Sequence, residues 1–203
     1  MLGFYNRSVI LTYIGLGITL LGIAFAYEGN IDAAIFCLMI SGICDVFDGK
    51  IARITKRTKD AEFFGIQIDS LCDLVCFGVF PAFIGIVVGV RGILIIFPIL
   101  FTVAGVIRLG YFNVMEEKRQ NETSEKRKYL DGLPITSSAI IFPLYLVILK
   151  LLGITNIKWL MVILYIIVGT LFISKIKVKK PNAIGVAFFL VLAIVVSVIL
   201  YLY

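Results

Sequence analysis

Seven apolar runs, each close to the length that crosses a bilayer, dominate the chain: about 9–27, 31–53, 63–89, 92–115, 134–152, 157–175 and 182–203. A hydrocarbon core about 30 Å thick needs about 20 apolar residues in a helix rising 1.5 Å per residue. Lipid offers no hydrogen-bond partners to a bare peptide group, so such runs must satisfy their backbones internally, as helices. The expected fold is therefore an all-α integral membrane protein, one polytopic domain over residues 1–203. Composition agrees: 61% of residues are hydrophobic and 16% charged, against about 25% charged in soluble domains. Mean hydropathy is +1.06. The first run carries Gly15, Gly17 and Gly22 within a full-length span, and no small-x-small cleavage pattern follows it. It reads as a transmembrane helix, not a signal peptide.

Basic residues give the orientation. With the N-terminus inside, the inner segments hold fifteen of them: Arg7; Lys50, Arg53, Lys56, Arg57 and Lys59; Lys118, Arg119, Lys126, Arg127 and Lys128; Lys175, Lys177, Lys179 and Lys180. The outer segments hold three, Arg91, Lys150 and Lys158, and Arg108 falls within a run. This asymmetry places the N-terminus in the cytoplasm of a cell-membrane protein. The net charge of +6 then reflects topology and attraction to anionic headgroups, with no call for nucleic acid.

Against this background four acids stand out: Asp45, Asp48, Asp69 and Asp73, in or beside the second and third runs. One aspartate near the middle of a membrane helix costs roughly 2.5–3.5 kcal/mol, so four ask for about 10–14 kcal/mol of compensation. Counted at ~1.5 Å per residue from Arg53, Asp48 lies ~8 Å and Asp45 ~12 Å below the inner face; counted from Phe63, Asp69 lies ~9 Å and Asp73 ~15 Å deep. Spacings of i,i+3 and i,i+4 put each pair on one helix face. If the two helices are neighbours, the carboxylates converge. Clustered anions at low dielectric need cations, and hard oxygen donors suit Mg²⁺, Mn²⁺ or Ca²⁺. Two divalent ions would balance four charges.

Gly49, Ala52 and Gly65 remove bulk beside the acids, so a large, flat group can approach the backbone. Arg53, with Lys50, Lys56 and Arg57 near it, suits phosphate oxygens. Together these read as phosphoryl transfer on a diphosphate, although Lys56, Arg57 and Lys59 serve equally as topology determinants. The chain has no histidine, so a carboxylate must act as any general base. Cys37, Cys44, Cys72 and Cys76 lie in apolar runs and read as small hydrophobes rather than a disulfide or zinc set. A transporter or channel for divalent cations would also gather acids at depth, but would not need the Gly-x-x-Ala-Arg spacer.

The stretch Asp45-Val-Phe-Asp48-Gly49-Lys-Ile-Ala52-Arg53, an eleven-residue gap, and Gly65-Ile-Gln-Ile-Asp69-Ser-Leu-Cys-Asp73 resemble the signature of the CDP-alcohol phosphatidyltransferase family. Each fixed position of D-x-x-D-G-x-x-A-R and G-x-x-x-D-x-x-x-D is matched. The resemblance implies a membrane enzyme, usually a homodimer of six-helix cores, that moves a phosphatidyl group from a CDP-activated lipid to an alcohol and releases CMP. It implies that Asp45, Asp48 and Asp69 ligate metal, and that Asp73 adjoins the metal and is the general base. Asp45, Gly49, Ala52, Arg53 and Gly65 would contact the CDP-lipid. The core would run from about 9 to 177, with the run at 182–203 a further, peripheral helix.

Four more pieces, Phe77-Gly-Val-Phe-Pro81-Ala, Arg108-Leu-Gly-Tyr-Phe-Asn113, Gly132-Leu-Pro134-Ile and Ile173-Ser-Lys-Ile-Lys177, resemble the phosphatidylserine synthase branch. That implies L-serine as acceptor, with glycerol 3-phosphate or an inositol phosphate as the alternative. The lipid would be CDP-diacylglycerol or CDP-archaeol, because acyl and isoprenoid chains fit an apolar groove alike. Arg108 is a buried cation able to bind the serine carboxylate or a lipid phosphate, or to neutralise the acids. Asn113 reads as a helix-end polar group or part of the same pocket. The stretch 116–131 mixes charges of both signs and is expected to be a solvated connector. Gly85 and Gly89 form G-x-x-x-G, expected to serve internal packing.

Overall fold

The computed structural model describes residues 3–5, 7–55, 58–122, 129–179 and 183–202. Each apolar run is a helix. Helices α1 (Arg7–Tyr27) and α2 (Ile31–Ile54) pack along one another as a hairpin. Asn30 caps α2, its side-chain oxygen accepting the Ala33 N–H at 3.1 Å, which satisfies one of the free amides of the first turn.

Helix α3 (Lys59–Asp73) runs without a break through a π-helical turn (Leu74–Val79) into α4 (Phe80–Val87). It begins four residues before the apolar run expected from Phe63. Apolar content marks where lipid contact begins, whereas capping marks where a helix begins: Thr58 accepts the Ala61 N–H at 3.3 Å, and Asp60 and Glu62 fall in the first turn, where acids favour the helix dipole.

After a short 3₁₀ turn, α5 (Ile96–Glu122) continues well into the stretch expected to be a connector. The residues Glu116–Arg119 are good helix formers, and Arg119 pairs with Glu116 at 2.6 Å across one turn. The far end of that stretch is also ordered. β1 (Tyr129–Asp131) pairs antiparallel with β2 (Lys177–Lys179), Leu130 opposite Val178. Gly132 turns the chain at φ +74°; its N–H donates to the Ile176 carbonyl at 2.8 Å, and that of Leu133 to Leu171 at 3.0 Å. This fastens the segment before α6 (Ser138–Leu151) to the end of α7 (Lys158–Ile173).

Among the described residues, three helical stretches are long and apolar enough to cross a membrane: Ser8–Tyr27, Lys59–Val87 and Gly92–Arg119. Helix α2 is also long, at 24 residues, but carries the acids, and α6 and α7 are shorter apolar helices. Leu20, Ile93, Ile163 and Phe188 are among the many large apolar side chains left exposed, as lipid contact requires. Inside, the rings of Phe101, Phe142, Tyr165 and Phe172 join α5, α6 and α7, with centroids 5.3–5.5 Å apart. The last helix, α8 (Ala183–Leu202), packs against α2 and α6. It buries Phe189, Ala193 and Val196 at i, i+4 and i+7, so this helix, expected to be peripheral, contributes one stripe to the core.

Candidate active site

Helices α2 and α3 bring Asp45, Asp48 and Asp69 together. One carboxylate oxygen from each lies within 4.8 Å of the other two. Among the described residues this is the single cluster of three or more acidic, histidine or cysteine side chains able to hold an ion. The convergence expected from the i,i+3 and i,i+4 spacings is thus present for three of the four acids. Asp73 sits one turn beyond Asp69, outside this trio but close enough to Asp45 for the two carboxyls to interact. The π-helical turn starts at the next residue; such turns widen a helix locally and are frequent at functional sites.

The surroundings differ from one acid to the next. Asp48 is the most enclosed, at 4% exposure, while Asp45, Asp69 and Asp73 are half-buried. A β-carbon on Gly49 would meet nothing within 4 Å, so the backbone beside Asp48 faces open space. Ala52 and Gly65 are half-buried. The side chain of Arg53, and Lys56 and Arg57 entirely, lie outside the described residues.

Arg108 is 6% exposed. Its Nε donates to the Leu133 carbonyl at 3.0 Å, and its guanidinium carbon lies 5.3 Å from the centre of the Phe112 ring, a cation–π distance. Two sequence pieces far apart in the chain, around Arg108 and around Gly132–Pro134, therefore meet. Asn113 is tied in as well: its Nδ2 donates to Ser70 Oγ at 2.9 Å, joining α5 to the residue after Asp69.

Helix α1 supplies a residue that reading the acid motif missed. Thr12 Oγ1 lies 2.7 Å from Asp48 Oδ2 and 3.1 Å from the Ser8 carbonyl. Ser8, Thr12, Gly15 and Thr19 recur at i, i+4, i+7 and i+11 in an otherwise apolar helix, and all four are buried. That stripe was the available signal. Further along it, Thr19 Oγ1 is 2.8 Å from Ser41 Oγ and 3.0 Å from Cys76 Sγ, a buried polar contact shared by α1, α2 and the π turn.

Three carboxylates at this separation form a hard, all-oxygen donor set, which fits a divalent cation of the Mg²⁺, Mn²⁺ or Ca²⁺ type rather than a thiophilic metal. The cysteines nearby stand outside the cluster.

The fold and site thus define an all-α membrane protein with an acidic, cation-competent cluster between its second and third long helices. The chain matches the CDP-alcohol phosphatidyltransferase family over residues 5–202, and it belongs to that family. The match takes in α8. The chain is 34% identical over 122 residues to the archaetidylserine synthase of Methanothermobacter thermautotrophicus, covering 59% of this chain and 48% of that one. It is 35% identical over 103 residues to the CDP-diacylglycerol–serine O-phosphatidyltransferase of Saccharomyces cerevisiae, covering 49% and 36%. It is 32% identical over 155 residues to the protein of that same name from Methanocaldococcus jannaschii, covering 76% and 68%. The chain spans about half or less of the length of the first two relatives.

Proposed function

We propose that this protein transfers a phosphatidyl or archaetidyl group from a CDP-activated lipid to L-serine and releases CMP. The observation that carries the reading is the trio Asp45, Asp48 and Asp69, with carboxylate oxygens within 4.8 Å of one another beside the open backbone at Gly49. These three would hold the divalent cation, Mg²⁺ or Mn²⁺ with Ca²⁺ as a possible occupant, and Asp73 would adjoin a second ion. Bound there, such ions offset the charge of the diphosphate and of the departing CMP.

The chain's own groups do the rest. Gly49, Ala52 and Gly65 admit the cytidine diphosphate to the acids, and Arg53, with Lys56 and Arg57, meets its phosphate oxygens. Asp73 accepts the proton of the serine hydroxyl as that oxygen bonds to the β-phosphorus and the bond to CMP breaks. Arg108 meets the serine carboxylate. The basic inner segments put the site on the cytoplasmic side, and the working unit is a homodimer. The choice of serine is supported by relatives whose names specify serine or archaetidylserine, and by a scarcity of basic residues within the spans that a phosphate-bearing acceptor would require.

The test is CMP release by the purified protein in lipid, given CDP-diacylglycerol or CDP-archaeol with serine, glycerol 3-phosphate or an inositol phosphate. Serine-dependent release is expected. Release driven by either phosphorylated acceptor overturns the choice of alcohol, and no CMP release with any acceptor, together with cation flux, overturns the enzyme reading in favour of transport.

A further inference from the structure

We infer that Thr12, on the first helix and outside the acid motif, is a positioning residue that sets the orientation of Asp48 for cation binding. The inference rests on the proposed role of Asp48 as a cation ligand. Asp48 is 4% exposed and Thr12 9%, so water cannot readily replace a lost partner for this carboxylate. The two oxygens meet at 2.7 Å, a normal length for a hydroxyl donating to an oxygen acceptor. The hydroxyl has one proton and a second acceptor, the Ser8 carbonyl at 3.1 Å; the shorter contact to the carboxylate is the stronger one.

The consequence is directional. With Oδ2 held by Thr12, rotation of the carboxylate is restrained, so the direction in which Asp48 presents an oxygen to Asp45 and Asp69 is set in advance. Oxygen donors already aimed at a common point need little rearrangement when a cation arrives, which is why groups behind a ligand affect affinity about 10–100-fold when removed. Helix α1 thereby becomes part of the site: its packing on α2 sets the distance between Thr12 and Asp48. Ser41 and Thr19 make a comparable contact about two turns along, at 2.8 Å, between the same two helices but with no hydrogen bond to an acid.

The experiment measures Mn²⁺ dissociation constants by electron paramagnetic resonance, on full-length protein in nanodiscs without CDP-lipid. Wild type is expected to bind and Asp48→Ala to bind far more weakly. Thr12→Val, which keeps shape and removes the hydroxyl, is expected to weaken Mn²⁺ about 10–100-fold. Thr12→Ser should restore binding to within about threefold, and Thr19→Val, which removes a more deeply buried hydroxyl of the same helix, should leave it unchanged. Wild type that fails to bind Mn²⁺ defeats the cation-site reading itself. Binding by wild type together with undiminished binding by Thr12→Val overturns the positioning role alone. Equal losses in Thr12→Val and Thr19→Val also overturn it, since they would assign the effect to helix packing.

Discussion

The Tyr165 hydroxyl of α7 donates to the Pro81 carbonyl at 2.7 Å and occupies the place where a β-carbon on Gly85 would be. The absence of a side chain at Gly85 is thus what allows a fully buried phenol to reach the backbone of α4. An alanine here gains about 1 kcal/mol of helix propensity but must displace that hydroxyl from its acceptor. Overpacking a dense core costs about 1–3 kcal/mol, and stranding a buried polar group costs a further 1–3 kcal/mol. Gly85→Ala should therefore lower the thermal midpoint in detergent or nanodiscs, whereas Tyr165→Phe should lower it less. Combined with Tyr165→Phe, Gly85→Ala should cost less than the two single changes added together. Additive losses would show that the contact does not exist.

The acids are the second case. Replacing Asp45, Asp48 or Asp69 with alanine should each abolish turnover, because every member of the trio supplies an oxygen within 4.8 Å of the others. Thorough chelation should do the same, with activity returning on addition of Mg²⁺ or Mn²⁺. Turnover that survives chelation, or a fully active Asp48→Ala, would refute the assignment.

Much of this was readable beforehand, for identifiable reasons. A membrane helix advertises itself by apolar length, so α1 through α8 follow the seven runs, with α3, the π turn and α4 forming one of them. Helix periodicity likewise puts Asp45 with Asp48 and Asp69 with Asp73 on common faces. Packing between helices is harder to read. The stripe of Ser8, Thr12, Gly15 and Thr19 is visible on α1, but only the fold shows that it meets Asp48 and Ser41. The acceptor for Arg108 is a backbone carbonyl, that of Leu133, which no residue type reveals. The π turn after Asp73 has no compositional signature, and the helical extension to Glu122 was hidden by charge, which marks solvent exposure as readily in a helix as in a loop.

Asp73 invites a test of mechanism separate from metal binding. It lies outside the trio yet beside Asp45, a place from which it can take a proton from the attacking hydroxyl. Asp73→Asn keeps the shape and removes the proposed base. The variant should retain Mn²⁺ and CDP-lipid affinity while kcat falls by about 10²–10⁴, the span typical of general-base catalysis. Near-normal kcat would assign the base elsewhere, and loss of Mn²⁺ affinity would make Asp73 a ligand instead.

Acceptor selectivity tests the role proposed for Arg108. Serine carries a carboxylate that ethanolamine and glycerol both lack, and a hydrogen bond to a charged partner contributes about 1.5–3 kcal/mol, which corresponds to roughly 10–150-fold in affinity. With Nε held by Leu133 at 3.0 Å and the guanidinium over the Phe112 ring, this cation has a set orientation, in a helix that Asn113 ties to Ser70 beside Asp69. Lysine would keep the charge but lose the planar fork and the bond to Leu133. Arg108→Lys should therefore raise KM for serine by about tenfold or more, within the range set by that hydrogen bond, and change KM for the CDP-lipid less. Steady-state kinetics with each substrate varied in turn makes the comparison. If only the CDP-lipid KM rises, Arg108 is a phosphate ligand and the serine carboxylate binds elsewhere; if both rise equally while kcat holds, its bond to Leu133 shapes the whole pocket rather than one subsite.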